Sequence, residues 1–196
     1  AFFYCRDLSD VKIPDSVTVI EYDAFRYCSS LTSIDIPNSV TNIGDDAFNS
    51  CSSLSNIKIS NNVTHIGDSV FSNCDSLTSI VIPNGIKYIN QFLFMGCSNL
   101  TSVEIPNSIT GIRAAAFYHC SSLSDIYFNG SEDQWNKISI KESFNSDLIN
   151  ATIHFNSTIG GGTQGATNST STNAPIITSA TGTLNGVTYD LFTQQL

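Results

Sequence analysis

"AFRYCSSLTSIDIPNSVTNIG" occupies residues 24–44, and nearly the same words return at 47–67 as "AFNSCSSLSNIKISNNVTHIG" and at 70–90 as "VFSNCDSLTSIVIPNGIKYIN". The six cysteines, Cys5, Cys28, Cys51, Cys74, Cys97 and Cys120, each follow the last by 23 positions. A phenylalanine (Phe2, Phe25, Phe48, Phe71, Phe94, Phe117) stands three before each of them, and a leucine (Leu8, Leu31, Leu54, Leu77, Leu100, Leu123) three after. Two aliphatic columns follow, through Ile34 and Ile36. Two more run through Val40 and Ile43. A fixed period in the twenties marks a solenoid: one turn cannot enclose its own apolar side chains, but stacked turns share a continuous core.

The phrase L-x-x-I-x-I predicts a strand with Leu31, Ile34 and Ile36 pointing in. The following Pro14, Pro37, Pro83 and Pro106 lack an N–H and mark where sheet pairing stops; Ser60 takes that place in one turn. "VTNI" predicts a second short extended piece, and "DDAFNSC" a helical or 3₁₀ turn. Equivalent strands then stack at about 4.8 Å. The fold class expected is a β-rich solenoid, a leucine-rich-repeat array with short helical or 3₁₀ turns and a C-terminal cap.

The phrases "LTSIDIPNSVTNIGDDAFNSCSSL" and "LTSVEIPNSITGIRAAAFYHCSSL" resemble the BspA-like leucine-rich repeats, 23-residue repeats of surface proteins from anaerobic bacteria and some protozoan parasites. The resemblance covers roughly Phe2 to Ile126. It implies a right-handed solenoid, display at an extracellular or cell-surface location, and adhesion to host proteins or other cells.

The array is expected over 1–126 and a capping segment over 127–156. There Ile140 stands where the next Phe is due, and Ser143 where the next Cys is due. Trp135, Ile138, Ile140, Ile149, Ile153 and Phe155 are the expected lid, since a terminal turn must cover the last core face. Trp135 as a ligand-stacking residue is the alternative. Residues 157–173 read as a Gly/Ser/Thr linker. Residues 174–196 read as a β-prone tail or the start of a further module, with a hairpin turn at Asn185-Gly186. The chain opens inside a repeat, so upstream repeats or another chain are expected against that end. Self-association through the chain ends gives a rival reading, a structural spacer or polymer-forming subunit.

The formal net charge of −9 and the lack of a basic patch exclude nucleic acid as an expected partner. No apolar run reaches the roughly 20 residues a membrane span needs. An even cysteine count in a surface protein suggests disulfides. Side chains in a ladder point the same way, however, which suits bridging poorly. Small buried thiols are the better reading. The spacing offers no zinc motif, and His65, His119 and His154 stand in unrelated contexts, so no catalytic group, metal or cofactor is expected. Asp45, Asp46 and Asp68 read as helix-start acids rather than calcium ligands.

The informative columns point outward. One runs Lys12, Asp35, Lys58, Val81, Glu104 and Tyr127, between the two inward residues of each strand. Opposite charges on neighbouring strands attract by roughly 0.2–1 kcal/mol, the bland account of this column. The functional account is a partner-binding face for a protein or cell-surface ligand, since solenoids recognise partners through such extended faces. A second column runs Val19, Asn42, His65, Tyr88 and Gly111, near Phe92, Met95 and Tyr118. These last three form either an interaction patch or packing under the turn. Asn62, Asn99, Asn129, Asn150, Asn156 and Asn168 head glycosylation sequons, which matter only where the source glycosylates.

Overall fold

The computed structural model describes residues 1–160 and the backbone of 181–184 and 187–190. Its elements run β1 (Val19–Ile20), β2 (Ser33–Ile36), β3 (Asn42–Ile43), β4 (Asn56–Ile59), β5 (His65–Ile66), β6 (Ser79–Val81), β7 (Tyr88–Ile89), β8 (Ser102–Ile105), β9 (Gly111–Ile112) and β10 (Asp125–Phe128). Then come α1 (Glu132–Trp135), β11 (Ser139–Ile140), α2 (Ser146–Asn150), β12 (Thr152–Phe155), β13 (Thr181–Leu184) and β14 (Val187–Asp190). Strands that share a phase pair in parallel: β2 with β4, β6 with β8, β10 and β12, β1 with β3 and β5, and β7 with β9 and β11. The molecule is a parallel β-solenoid of about six turns. β13 and β14 pair antiparallel, with Leu184 opposite Val187. The rest of the linker and tail, including the Asn185-Gly186 turn, lies outside the described residues.

The repeated letters fill the interior. Leu31, Ile34, Ile36, Val40 and Ile43 are buried, as are their counterparts in most turns. The phenylalanines form one stack, with ring centroids 5.2 Å apart for Phe25–Phe48, 5.9 Å for Phe48–Phe71, 5.8 Å for Phe71–Phe94 and 5.3 Å for Phe94–Phe117. Offset ring pairs add about 0.5–1.5 kcal/mol each beyond the area they bury.

The segment around each Phe–Cys pair is not helical. Asp23 and Tyr27, Asp46 and Ser50, and Ser69 and Asn73 have positive φ, which breaks any helix. The chain instead makes successive tight turns whose amides alternate in destination. Ala24, Arg26 and Cys28 donate three residues back, to Glu21, Asp23 and Phe25. Asp23, Phe25 and Tyr27 donate to the next turn, to Asp45, Ala47 and Asn49. A helix would spend all these donors within one turn. This alternation lets half of them tie turns together.

Glycine, Asn and Asp suit the positive-φ positions, and Tyr4, Tyr27, Phe92 and Phe144 are the bulky exceptions. With no helix present, Asp45 and Asp68 are not helix-start acids. Asp45 accepts the Asp68 N–H at 2.8 Å and Asp68 accepts the Gln91 N–H at 3.1 Å, so each carboxylate ties its turn to the next. Asp46 accepts from Asn49 Nδ2 at 2.6 Å within its own turn.

Beyond Cys120 the stacking continues although the sequence period stops. Ile140 pairs with Ile112 in β9, and so occupies the aliphatic column of Ile43 rather than the Phe column. Ile153 lies opposite Ile126, and Phe155 opposite Phe128. The added residues form α1, opened by a capping box between Ser131 and Gln134. Trp135 at the end of α1 is buried and sits edge-on to Phe128, 5.2 Å between centroids, which makes it a lid over the core.

Leu148, rather than the half-buried Ile149, completes that lid, because α2 turns position 148 inward. At the Phe column the last turn's free amides are met by Ser143, whose carbonyl accepts from Ala115, and by Asn145. The fully buried Asn145 accepts the Phe117 N–H at 3.0 Å and donates to the carbonyls of Arg113 and Lys141. Its amide thus stands where a further turn's backbone would be.

Candidate functional site

The cysteines are free: Cys5 is exposed, and Cys28, Cys51, Cys74, Cys97 and Cys120 are buried. Each buried thiol donates to the carbonyl of the Phe one turn back, for example Cys51 Sγ to Phe25 at 3.1 Å and Cys97 Sγ to Phe71 at 3.0 Å. That carbonyl also accepts the Cys N–H of its own turn. A thiol is small and apolar enough for the core, and its weak S–H reaches this second lone pair. Burial raises every one of these pKa values, pushing Cys51 and Cys97 up to about 12. Such thiols are poor nucleophiles and poor metal ligands. Among the described residues no group of three or more His, Cys, Asp or Glu is arranged to hold a metal. No helix among them is long and apolar enough to cross a membrane.

The outward column of the longer strands divides in two. Lys12, Asp35, Lys58 and Val81 are exposed, Val81 by 50%. Asp35 lies opposite Lys58 in register, yet among the described residues neither charge has an ion-pair partner. Glu104 departs from the outward expectation, for it is only 9% exposed. The segment after β12 crosses over it. Glu104 accepts from Asn129 Nδ2 at 2.9 Å and from the Ile159 N–H at 3.0 Å, bonds that answer a covered carboxylate. Tyr127 beside it is half-buried and stacks on His154, 4.8 Å between centroids.

His154 in turn pairs with Asp125 at 2.7 Å. The Ser124 hydroxyl and then His154 hold the Asp125 carboxyl below the usual aspartate range. Nothing in the repeat signalled this strap, because its residues lie past the last periodic phrase.

The second column borders a separate cleft. Val19, His65 and Tyr88 are exposed, and Asn42 is half-buried between its register partners Val19 and His65. Gly111 has no side chain, so the Tyr88 ring lies where one would stand; a Cβ there would meet Tyr88 Cδ1 at 3.0 Å. The Arg113 guanidinium sits over the same ring, 5.1 Å from its centroid. Cationic groups attract aromatic faces by about 0.5–1 kcal/mol at exposed sites. Around these groups lies a cleft of about 190 Å³, lined also by His65, Lys87 and Asn90.

Phe92, Met95 and Tyr118 are each half-buried, with Tyr118 edge-on to the exposed Phe144, 5.2 Å between centroids. Three sequon amides are engaged: Asn62 Nδ2 with Asn38 O, Asn99 Nδ2 with Asp75 O, and Asn129 Nδ2 with Glu104.

Stacked parallel turns closed by buried L-x-x-I-x-I strands define a leucine-rich-repeat solenoid. The family model described as "BspA type Leucine rich repeat region" matches residues 1–124 and 64–181, in six copies, and the chain belongs to that family. Among solved structures it is similar to a leucine rich cell surface protein from Faecalibacterium prausnitzii, with 44% identity over 66% of this chain and 34% of that one, TM-score 0.64. It is also similar to the T. pallidum leucine rich repeat protein, with 33% identity over 61% of this chain and 55% of that one, TM-score 0.55. A leucine-rich repeat protein from Bacteroides ovatus follows, at 27% identity over 71% of this chain and 47% of that one, TM-score 0.53. The chain thus spans about a third to a half of these relatives' lengths. No protein of curated function matches it.

Proposed function

We propose that this chain is a non-enzymatic recognition module, displayed at a cell surface or secreted, that adheres to protein ligands through the outward columns of its first four turns. The observation that carries this reading is the mixture on those columns. Among the described residues Asp35 and Lys58 have no ion-pair partner, and Val81, Val19 and Tyr88 are exposed by 50%, 39% and 48%. Interfaces combine apolar anchors with oriented charge, and these columns offer both. Family membership and the Faecalibacterium relative's description as a cell surface protein support the location. Glu104 and Tyr127 fall outside the available face, because the strap covers the first and the Tyr127 ring is taken up by His154.

The test uses the full chain against immobilised extracellular-matrix and cell-surface proteins, read by biolayer interferometry. Lys58→Glu combined with Val81→Lys is expected to weaken each specific interaction about tenfold or more, while leaving the melting curve within a degree or two, since both side chains are exposed. Specific binding that is unchanged by this double substitution, or binding to none of the proteins offered, overturns the reading.

A further inference from the structure

In a repeat array the shared letters build the stack, so residues that break the pattern are free to serve something else. Several such departures meet in the cleft beside Tyr88. The column Thr18, Thr41, Thr64 and Thr110 is broken once, by Lys87. The column that runs Glu21, Gly44 and Gly67 continues as Asn90 and then Arg113. Gly111 is the one glycine in its own column. These departures are neighbours in space, for His65, Lys87, Tyr88, Asn90 and Arg113 line the same volume of about 190 Å³.

The geometry holds Arg113 in place. Its Nε donates to Asn90 Oδ1 at 3.3 Å, and Asn90 Nδ2 is itself fixed on the Ile66 carbonyl at 2.7 Å. The Tyr88 ring supports the guanidinium from below and rests where Gly111 leaves room. Among the described residues the terminal nitrogens of Arg113 have no hydrogen-bond or ion-pair partner. The chain carries 17 acidic residues against eight Lys and Arg, yet no Asp or Glu lines this cleft. A positioned guanidinium with free terminal nitrogens, beside a lysine and with no competing carboxylate, suits a planar anion held through two N–H groups.

We propose that this cleft is a carboxylate-recognition site that takes an acidic segment of the protein partner. The volume accepts one or two acidic side chains, at roughly 30 Å³ per water-sized group. Arg113 grips the carboxylate, Lys87 adds charge, and Asn90 acts as a positioning residue through Arg113. The assignment rests on the protein-binding reading above and names the chemistry of one anchor within it. It also explains how so acidic a chain can hold an acidic partner: repulsion acts over the whole surface, while the attraction is local.

The test is fluorescence anisotropy of the full chain with a labelled Ser-Glu-Glu-Gly-Glu-Glu-Ser peptide and its Gln counterpart, at about 50 and 150 mM salt. The Glu peptide is expected to bind at least about tenfold more tightly than the Gln peptide, and Arg113→Gln and Lys87→Gln are each expected to weaken it by about five- to tenfold. Lys137→Gln, a cation lost from the cap, should change nothing. Equal binding of the two peptides, or an equal loss in the Lys137 variant, overturns the site. Displacement of the peptide by an equimolar amount of inorganic phosphate also overturns the carboxylate assignment. Loss of peptide binding with surface-protein binding intact overturns the cleft alone, whereas absence of both overturns the broader reading.

Discussion

Raising the pH from about 8 to about 11 is expected to unfold the solenoid in one steep transition. The cause is the ladder of thiols. An unfolded cysteine ionises near pH 8.5. Burial keeps Cys51 and Cys97 protonated up to about pH 12, and raises Cys28, Cys74 and Cys120 as well. The folded state therefore binds these protons more tightly than the unfolded state. The resulting stability is fully present below the unfolded pKa and drains away as the pH climbs toward the folded one.

Each such thiol removes about 1.4 kcal/mol per pH unit in that window. Cys51, Cys74, Cys97 and Cys120 together remove on the order of 5 kcal/mol per unit, against total stabilities of about 5–15 kcal/mol for ordinary domains. Circular dichroism against pH, combined with urea melts, measures the slope. Cys74→Ser is expected to lower stability at pH 7 by about 1–3 kcal/mol, because a polar hydroxyl replaces a packed thiol. It should also make the alkaline slope shallower by about 1.4 kcal/mol per pH unit, because serine does not titrate there. Below pH 8 a thiol reagent should label the exposed Cys5 at once and the buried five only as fast as the chain opens. A slope that is the same in wild type and Cys74→Ser contradicts the ladder.

Asn145→Ala is expected to destabilise the chain by about 3–5 kcal/mol, more than a surface change and as much as deleting a core side chain. The amide serves the Phe117 N–H, the Arg113 carbonyl and the Lys141 carbonyl, with all of its own atoms fully buried. Alanine leaves the buried Phe117 N–H and two part-buried carbonyls without their partner, at about 1–3 kcal/mol each, less whatever water can enter. Asn145→Asp makes a sharper variant: it keeps the acceptor for Phe117, loses both donations and buries a charge. Loss of protection from hydrogen exchange should begin at Ala115 and Phe117 and spread toward earlier turns, since each turn is held by the next. An Asn145→Ala chain as stable as wild type contradicts this view of the cap.

Which parts were legible in the sequence follows from what repeats. The columns of Leu31, Ile34 and Ile36 and the Phe column are apolar in every copy, so their inward direction and the parallel stack could be read before any coordinates. The turn around Asp46 could not. Its apolar letters at 47, 48 and 51 fit a helical face, and only the positive φ at Asp46 and Ser50 reveals the alternating turn-to-turn ladder. The cap hid its period because α1 lengthens the turn, which places Ile140 opposite Ile112 rather than in the Phe column.

The site was half legible. Asp35, Lys58, Val81, His65 and Tyr88 stand exposed as an outward column requires. Glu104 does not, because a segment 55 residues further on covers it, and no local pattern encodes so distant a contact. Arg113 and Asn90 were missed, although their column varies in the sequence; a count of departures from the repeat would have found them.

The most direct test of the central proposal is lysine acetylation footprinting of the chain, free and mixed with whichever immobilised surface protein retains it in the interferometry test. The five lysines are exposed and divide by place: Lys12, Lys58 and Lys87 on the outward columns and cleft, Lys137 and Lys141 at the cap. The account predicts that Lys58 and Lys87 lose most of their reactivity in the complex while Lys137 and Lys141 keep theirs. Protection of the cap lysines with Lys58 and Lys87 left reactive would contradict it.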